Sequence, residues 1–380
     1  MEYVYNKKEK IRAPIFWFAV FMSLMLFQTS YMRLGTITAF VAIALTLLTA
    51  FISVIMRTRD FRVKPNSIIL TTFLLITFLV TLIYGALPSY FVRYTAQIIL
   101  CIVLMTIPSL NKKEIQFLKN VFIVASVVYA VLIIISCYRL ADERYTHDSI
   151  VLFNAELDPN FVGIPLVAAS VFVLDNILNK RKRILNLIFY GILALSIIYT
   201  ASRGNTISLL FADGLVFLLY LHKSKISLRV KIFSIILLAV AAGLAVKYFS
   251  AIFPEQWARM FSFGEGSDNG RFELWHRAFK AWLSAPIFGN GLGAMVDDYG
   301  KATHNMYLQL LSETGFVGSV LFVSFLIGIL KRVFRFDRVY FCMMLGCLFQ
   351  IAFLDALDDR CLWVILCWMA LLPKNREALE

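Results

Sequence analysis

Apolar residues run along this chain in stretches of about 20, and that is the length of a helix that crosses a bilayer. Short basic clusters interrupt them. Twelve such stretches are predicted: 14–30, 35–56, 67–86, 89–107, 120–138, 161–178, 184–200, 205–221, 232–249, one starting near His304, 339–356 and 361–373. They lack the strict polar–apolar alternation of a transmembrane barrel strand. The pattern therefore predicts an all-α bundle of about twelve spans, forming one integral membrane domain over residues 1–380. No internal repeat, low-complexity tract or soluble domain breaks it. Two interruptions are longer than a turn, at 139–160 and 250–303.

Composition agrees with the pattern. The chain is 60% hydrophobic and 16% charged, more apolar than a soluble domain of this size can bury. The net charge of +13 would suit a nucleic-acid binder, but the cations sit in clusters between spans, which is a topology signal and argues against nucleic acid. Alternate connections, taken from the N-terminal segment, hold 25 of the 37 Lys and Arg residues, and the other set holds 12. The positive-inside rule then places both termini in the cytoplasm and the 139–160 and 250–303 loops outside. The first apolar run reads as a retained signal anchor. Cys101, Cys137, Cys342, Cys347, Cys361 and Cys367 fall in or beside apolar runs without metal-ligand spacing, and read as small core- or lipid-facing residues.

The long loop carries the chemistry. After a flexible polar stretch, Gly264 to Gly270, the segment from Arg271 predicts a helix. Phe272, Trp275, Phe279 and Trp282 fall on one of its faces, so it is expected to lie along the membrane surface. Asp268 or Asn269 can cap it, and Pro286 stops it. Gly289, Gly291 and Gly293 then turn the chain toward the span at His304. That Gly-rich turn follows no strand and lies outside the cell, so a nucleotide role is not expected.

Three helix starts thus face outward, at Ser202-Arg203, at Arg271 and at Thr303-His304. Helix N-termini attract anions through their free N–H groups and dipole. With two arginines among them, the simplest ligand is a diphosphate. A helix N-terminus opposes a cation at its mouth, which suits an imidazole that accepts a proton from a hydroxyl. The plainer alternatives are a turn arginine or headgroup anchor at Arg203, a surface ion pair at Arg271 and a polar cap at His304.

His304-Asn305 followed by Gly315-x-x-Gly318 resembles the signature of the bacterial O-antigen ligase and polymerase family. Ser202-Arg203-Gly204 at a hairpin tip resembles that family's second recurrent site. Arg271 with Trp275, before Pro286 and the glycine turn, resembles a third. The resemblance covers roughly residues 150–320. It implies a fold similar to the GT-C glycosyltransferases, and an active site on the outer face of the bacterial cytoplasmic membrane. It also implies transfer of a glycan en bloc from undecaprenyl diphosphate to the hydroxyl of a glycan or lipid-linked acceptor. Carried over, Arg203 and Arg271 would bind the diphosphate and stabilise its departure, a role for positive charge in a poorly solvated site. His304 would act as base or orient the acceptor. Asn305, beside it, is a candidate substrate contact. No cofactor, nucleotide or metal is called for.

Other charged residues stay open. Arg93 lies within a span near the outer face, where an ionisable group is costly and often functional; it contacts substrate or pairs structurally. Arg360 with Asp355, Asp358 and Asp359 reads as an outer-surface ion cluster. Asp158-Pro159-Asn160 reads as a helix cap. Asp213 and Glu313 either pair with an arginine or line the substrate cavity. Gly315 and Gly318 suit close helix packing. The rival function is a lipid-linked glycan flippase or other polytopic transporter, whose marks are repeat symmetry and charged or broken helices at the midplane. A structural or sensor membrane protein is the third reading.

Overall fold

The computed structural model describes residues 10–26, 64–84, 88–140, 150–152, 155–224, 270–299 and 303–375, with isolated positions between 227 and 254. The spans expected at 35–56 and 232–249, the Gly264–Asn269 stretch with its two candidate caps, and the side chains of Arg93 and Asp358 lie outside the described residues.

The described chain is helical, as its apolar periodicity predicts. In order it forms α1 (Ala13–Leu26), α2 (Pro65–Tyr84), α3 (Pro88–Leu104), α4 (Lys112–Leu140), α5 (Pro159–Leu178), α6 (Arg183–Tyr199) and α7 (Arg203–Lys223). Then come α8 (Arg271–Ser284), α9 (Ala294–Tyr299), α10 (Met306–Phe336), α11 (Arg338–Gln350) and α12 (Arg360–Leu371). Five of these (α2, α4, α5, α7 and α10) are long and apolar enough to cross a membrane. The exception to all-helix is a small antiparallel hairpin in the 139–160 loop. There β1 (Ile150–Leu152) pairs with β2 (Ala155–Leu157), with Val151 opposite Glu156.

Helix ends follow local chemistry. Asp158 caps α5 by accepting from the Asn160 N–H, Ser202 caps α7, Asn305 caps α10, Asp337 caps α11 and Asp359 caps α12. Each takes up a backbone donor that has no partner inside the helix. The cap expected of Asp158 is therefore present. The surface cluster expected around Arg360 is not: Asp359 is buried at a helix start, and Asp355 is buried facing Thr303 and His304.

The bundle centres on α5, which packs on α4, α6, α7 and α11, while α10 packs on α2, α8 and α11. Phe122, Phe172, Tyr340 and Trp368, from α4, α5, α11 and α12, meet with ring centroids 4.8–6.5 Å apart. The contacts sort into two ends. Asn160, Ser202, Thr303 and Asp355 gather at one; Arg12, Glu114, Lys119, Asp175 and Leu371 gather at the other. The described spans thus alternate in direction as the charge clusters imply. All six cysteines are free and buried.

Among the described residues, Asp213 and Glu313 pair with no arginine. Asp213 accepts from the Tyr190 hydroxyl at 2.8 Å and the Ser170 hydroxyl at 3.0 Å. Glu313 is held by Gln309 and by the backbone N–H groups of Gly293 and Met295. In an apolar interior these partners satisfy what water cannot.

Candidate functional site

The site is built on the three residues that lead into α10. Asn305 caps the helix, its Oδ1 accepting from Tyr307 N at 3.0 Å and Leu308 N at 3.1 Å. That fixes His304 one residue outside the helix, in the left-handed region with φ 50°. A β-carbon makes that conformation costly by roughly 1–2 kcal/mol, so something must hold it. Asp355 does. Its Oδ2 accepts the His304 backbone N–H at 2.6 Å, and its Oδ1 accepts the Thr303 hydroxyl at 2.5 Å. The imidazole Nδ1 stands 3.5 Å from the same Oδ2. This is ion-pair range without an aligned hydrogen bond, a looseness common in catalytic pairs before substrate binds.

Asp355 is 5% exposed. Burial pushes its carboxyl above the ordinary range, against the opposing pull of the Thr303 hydroxyl, the imidazole and the backbone N–H groups of His304 and Asn305. Sequence reasoning assigned this residue to the surface. The signal that could have found it is its place: a lone acid between apolar residues, Leu354 and Ala356, four positions before an acid that caps the next helix.

The second wall is the start of α7. Ser202 caps this helix and donates to Asn160 Oδ1 at 2.7 Å, which joins it to the start of α5. Asn205 ties the pair to α11: its Nδ2 donates to Pro159 O at 2.8 Å and its Oδ1 accepts from Gln350 Nε2 at 2.8 Å. Arg203 is the first residue of α7 and is half-buried. A Cβ on Gly204 would lie 3.2 Å from the Phe353 side chain, two residues before Asp355. The Ser-Arg-Gly tip is thus packed on the segment that holds His304.

The third wall is α8. Its buried positions are Leu274 and Ala278, which seat it on α10. Trp275 Nε1 donates to Thr303 O at 3.1 Å. Arg271, the half-buried first residue of α8, stands one turn from Trp275. The helix begins after Gly270, in the left-handed region, without a side-chain cap. The expected aromatic stripe divides: Trp275 and Trp282 are half-buried with their N–H groups bonded, while Phe272 and Phe279 are exposed.

Behind these walls, α10 is broken at Gly315 (φ 63°, ψ −167°). In an unbroken helix Phe316 N and Val317 N would bond to Ser312 O and Glu313 O. Instead they donate to Pro286 O and Ile287 O at 2.9 and 3.0 Å, while Ser312 O and Glu313 O accept from Asn290 N and Gly291 N at 3.1 and 2.9 Å. The loop backbone inserts into the helix ladder and completes it. The insertion needs Gly289 (φ 77°) and Gly315, because a Cβ on either would collide with the other's strand of backbone. The glycine pair expected to serve helix packing therefore splits, and Gly315 serves this junction. Glu313 fastens the loop from inside, and Asn290 Nδ2 links Ala281 O of α8 to Ser312 O of α10 at 2.7 and 3.0 Å.

A helical bundle that crosses the membrane several times, with histidine and arginine at helix mouths on one end, is the class this chain belongs to. Residues 188–323, which include Arg203, Arg271 and His304, match the family model described as O-antigen ligase, and over that stretch the chain is similar to this family. The comparison with curated proteins finds no match.

Proposed function

We propose that this chain is a glycosyltransferase of cell-surface polysaccharide synthesis that moves a glycan en bloc from undecaprenyl diphosphate to an acceptor hydroxyl. The observation that carries this reading is that the Arg203 helix start packs on Phe353, two residues before Asp355, and that Trp275 of the Arg271 helix bonds Thr303 O, so both elements meet around the buried carboxylate that holds Thr303 and His304. The acceptor oxygen attacks the anomeric carbon, and its proton passes to the imidazole. The bond from that carbon to the diphosphate oxygen breaks, and the diphosphate leaves against the two guanidinium groups. A single displacement inverts the anomeric centre. Asp355 orients the imidazole and offsets the charge it gains, and Asn305 Nδ2 and Arg93 are candidate substrate donors. The reaction needs no metal in this scheme, since the arginines supply the positive charge. By the distribution of Lys and Arg the site faces outward from the cytoplasmic membrane, with both termini inside.

The test uses purified protein with an undecaprenyl-diphosphate oligosaccharide. Arg203→Ala, Arg271→Ala and His304→Ala are each expected to lose most transfer activity while melting normally; full activity in all three overturns the site. The wild-type product separates the two acceptor classes. A ladder of lengthened lipid-linked chains means polymerase, and one-step transfer to a distinct acceptor means ligase.

The break in α10 beside a buried Glu313 favours a second reading, a flippase, because broken helices with buried charge mark transporters. Here loop backbone fills the break and Glu313 is fully engaged within the protein, which favours the enzyme. Transbilayer movement of the lipid-linked glycan without bond formation would establish the flippase.

A further inference from the structure

The end of the bundle remote from His304 carries a cationic cluster that the transferase reading does not use. Arg332 lies 26 residues into α10, roughly 40 Å along a helix at 1.5 Å per residue. Lys64 immediately precedes α2, and Arg12 immediately precedes α1. Gly328 of α10 makes room for the Asn66 side chain of α2, and so brings Lys64 and Arg332 to the same level. Arg12 closes the group from the N-terminal side.

Each cation is anchored on one side. Arg12 binds Glu114 through Nε at 2.7 Å and Nη2 at 2.6 Å, and Pro108 O and Ser109 O through Nη2. Lys64 Nζ donates to Ile107 O at 2.9 Å, and Arg332 Nη1 donates to Leu372 O at 2.7 Å. These bonds fix three positive groups around the turn from α3 to α4 and the end of α12. Among the partners just named, Glu114 is the one charged acceptor, and Arg12 takes it in a two-point pair. Among the described residues, three cations thus face one carboxylate in a half-buried place. The repulsion is felt: burial, then Arg332, then Arg12 lower the Lys64 ammonium to about 8.

Apolar side chains flank the cluster. Ile11 is 41% exposed, Phe16 47% and Ile68 55%. They border Arg12 and Lys64 at the ends of α1 and α2. Cations fixed at a span end, beside exposed apolar side chains, present a surface with two chemistries. One suits a phosphate and the other suits hydrocarbon.

We propose that Arg12, Lys64 and Arg332 form a binding site for the phosphate of an anionic phospholipid. The phosphate lies among the three cations, and the acyl chains lie along Ile11, Phe16 and Ile68. A bound phosphate completes the unused donors of Lys64 and Arg332 and relieves their mutual repulsion. The lipid then links the N-terminal segment, α2, α10 and the end of α12.

Full-length protein purified in neutral detergent is titrated with dioleoylphosphatidylglycerol, dioleoylphosphatidylcholine or inorganic phosphate, and intact-complex mass spectrometry reads the bound species. The wild type is expected to bind phosphatidylglycerol at least tenfold more tightly than phosphatidylcholine. Inorganic phosphate at the same concentration should not compete. Lys64→Gln and Arg332→Gln should each weaken phosphatidylglycerol severalfold, and the double variant should remove the preference. Arg332→Lys, which keeps the charge, should retain most of it. Equal binding of the two lipids by the wild type, or an intact preference in the double variant, overturns the proposal. Displacement by phosphate alone overturns its lipid part. If the double variant does not fold, photo-crosslinkable phosphatidylglycerol on the wild type decides: labelled peptides spanning 10–16, 64–68 or 328–335 support the site, and labelling confined elsewhere refutes it.

Discussion

Asp355→Asn is the most informative single change at the proposed centre. The carboxylate makes two bonds to backbone and hydroxyl donors and faces the imidazole with the same oxygen that holds the His304 N–H. Asparagine is isosteric. Its carbonyl oxygen can keep the His304 N–H, and its NH2 can donate to the Thr303 oxygen. The loop geometry is therefore retained and the negative charge is lost. General-base catalysis supplies on the order of 10²–10⁴-fold, or about 2.7–5.4 kcal/mol at 1.36 kcal/mol per tenfold. The imidazole–carboxylate contact is loose at 3.5 Å, so a loss near 10²-fold in kcat is expected, about 2.7 kcal/mol. The donor KM should hardly change, because Asp355 lies behind His304 and not among the arginines. Initial rates of transfer from an undecaprenyl-diphosphate oligosaccharide measure this, with thermal unfolding in detergent as the fold check. Asp355→Ala adds a structural loss, since it removes the partner of the part-buried His304 N–H, at about 1–3 kcal/mol, while the Thr303 hydroxyl keeps Asn305 O as its acceptor. A rate for Asp355→Asn within threefold of wild type refutes an electrostatic role and leaves Asp355 as scaffold only.

Four further outcomes follow from the same geometry. Arg203→Lys and Arg271→Lys keep the charge but lose the planar fork; each should retain measurable transfer with a loss on the order of tenfold, where alanine loses most of it. Gly315→Ala places a Cβ against Gly289 and Ile287 backbone at a positive φ, so strain of roughly 1–2 kcal/mol adds to the loss of the inserted loop, and the melting temperature should fall sharply with activity. Asp213→Leu strands the Tyr190 hydroxyl among apolar side chains, at about 1–3 kcal/mol; Tyr190→Phe in the same chain should recover part of the lost stability, and transfer kinetics of the folded protein should be unchanged. Folding raises the Asp355 pKa, so the folded chain keeps a proton that the unfolded chain has lost. Stability should therefore fall as pH rises from the ordinary carboxylate range through the raised one, and melting curves of Asp355→Asn should lack that component.

Helical spans, the helix at Arg271, the cap at Asp158 and the placement of Arg203, Arg271 and His304 at helix starts are legible in the sequence, because each is a local property. Apolar run length sets a span, and an Asp or Asn before an apolar run sets a helix start. The same local view misplaced residues whose partners are distant. Asp355, Asp358, Asp359 and Arg360 form a charged run on paper, yet Asp355 faces His304, 51 positions away, and Asp359 turns inward as a cap. Gly315 looks like a packing glycine in a continuous span. Only the docking of residues 286–291 shows that the span is broken and that the glycine is its joint. Asp213 and Glu313 were left between ion pairing and substrate contact, and tertiary neighbours gave them hydroxyls and backbone amides instead.

The sequence by itself determined that this chain carries apolar helices long enough to cross a membrane, and which arginines and histidine stand at helix mouths. These follow from hydrophobicity and backbone hydrogen bonding, which act over a few residues. The tertiary structure decided which mouths meet, what lies beneath the histidine, and how a broken helix is made whole. Those depend on side chains and loop backbone far apart in the chain, brought together because every buried polar group in an apolar interior must find a partner there.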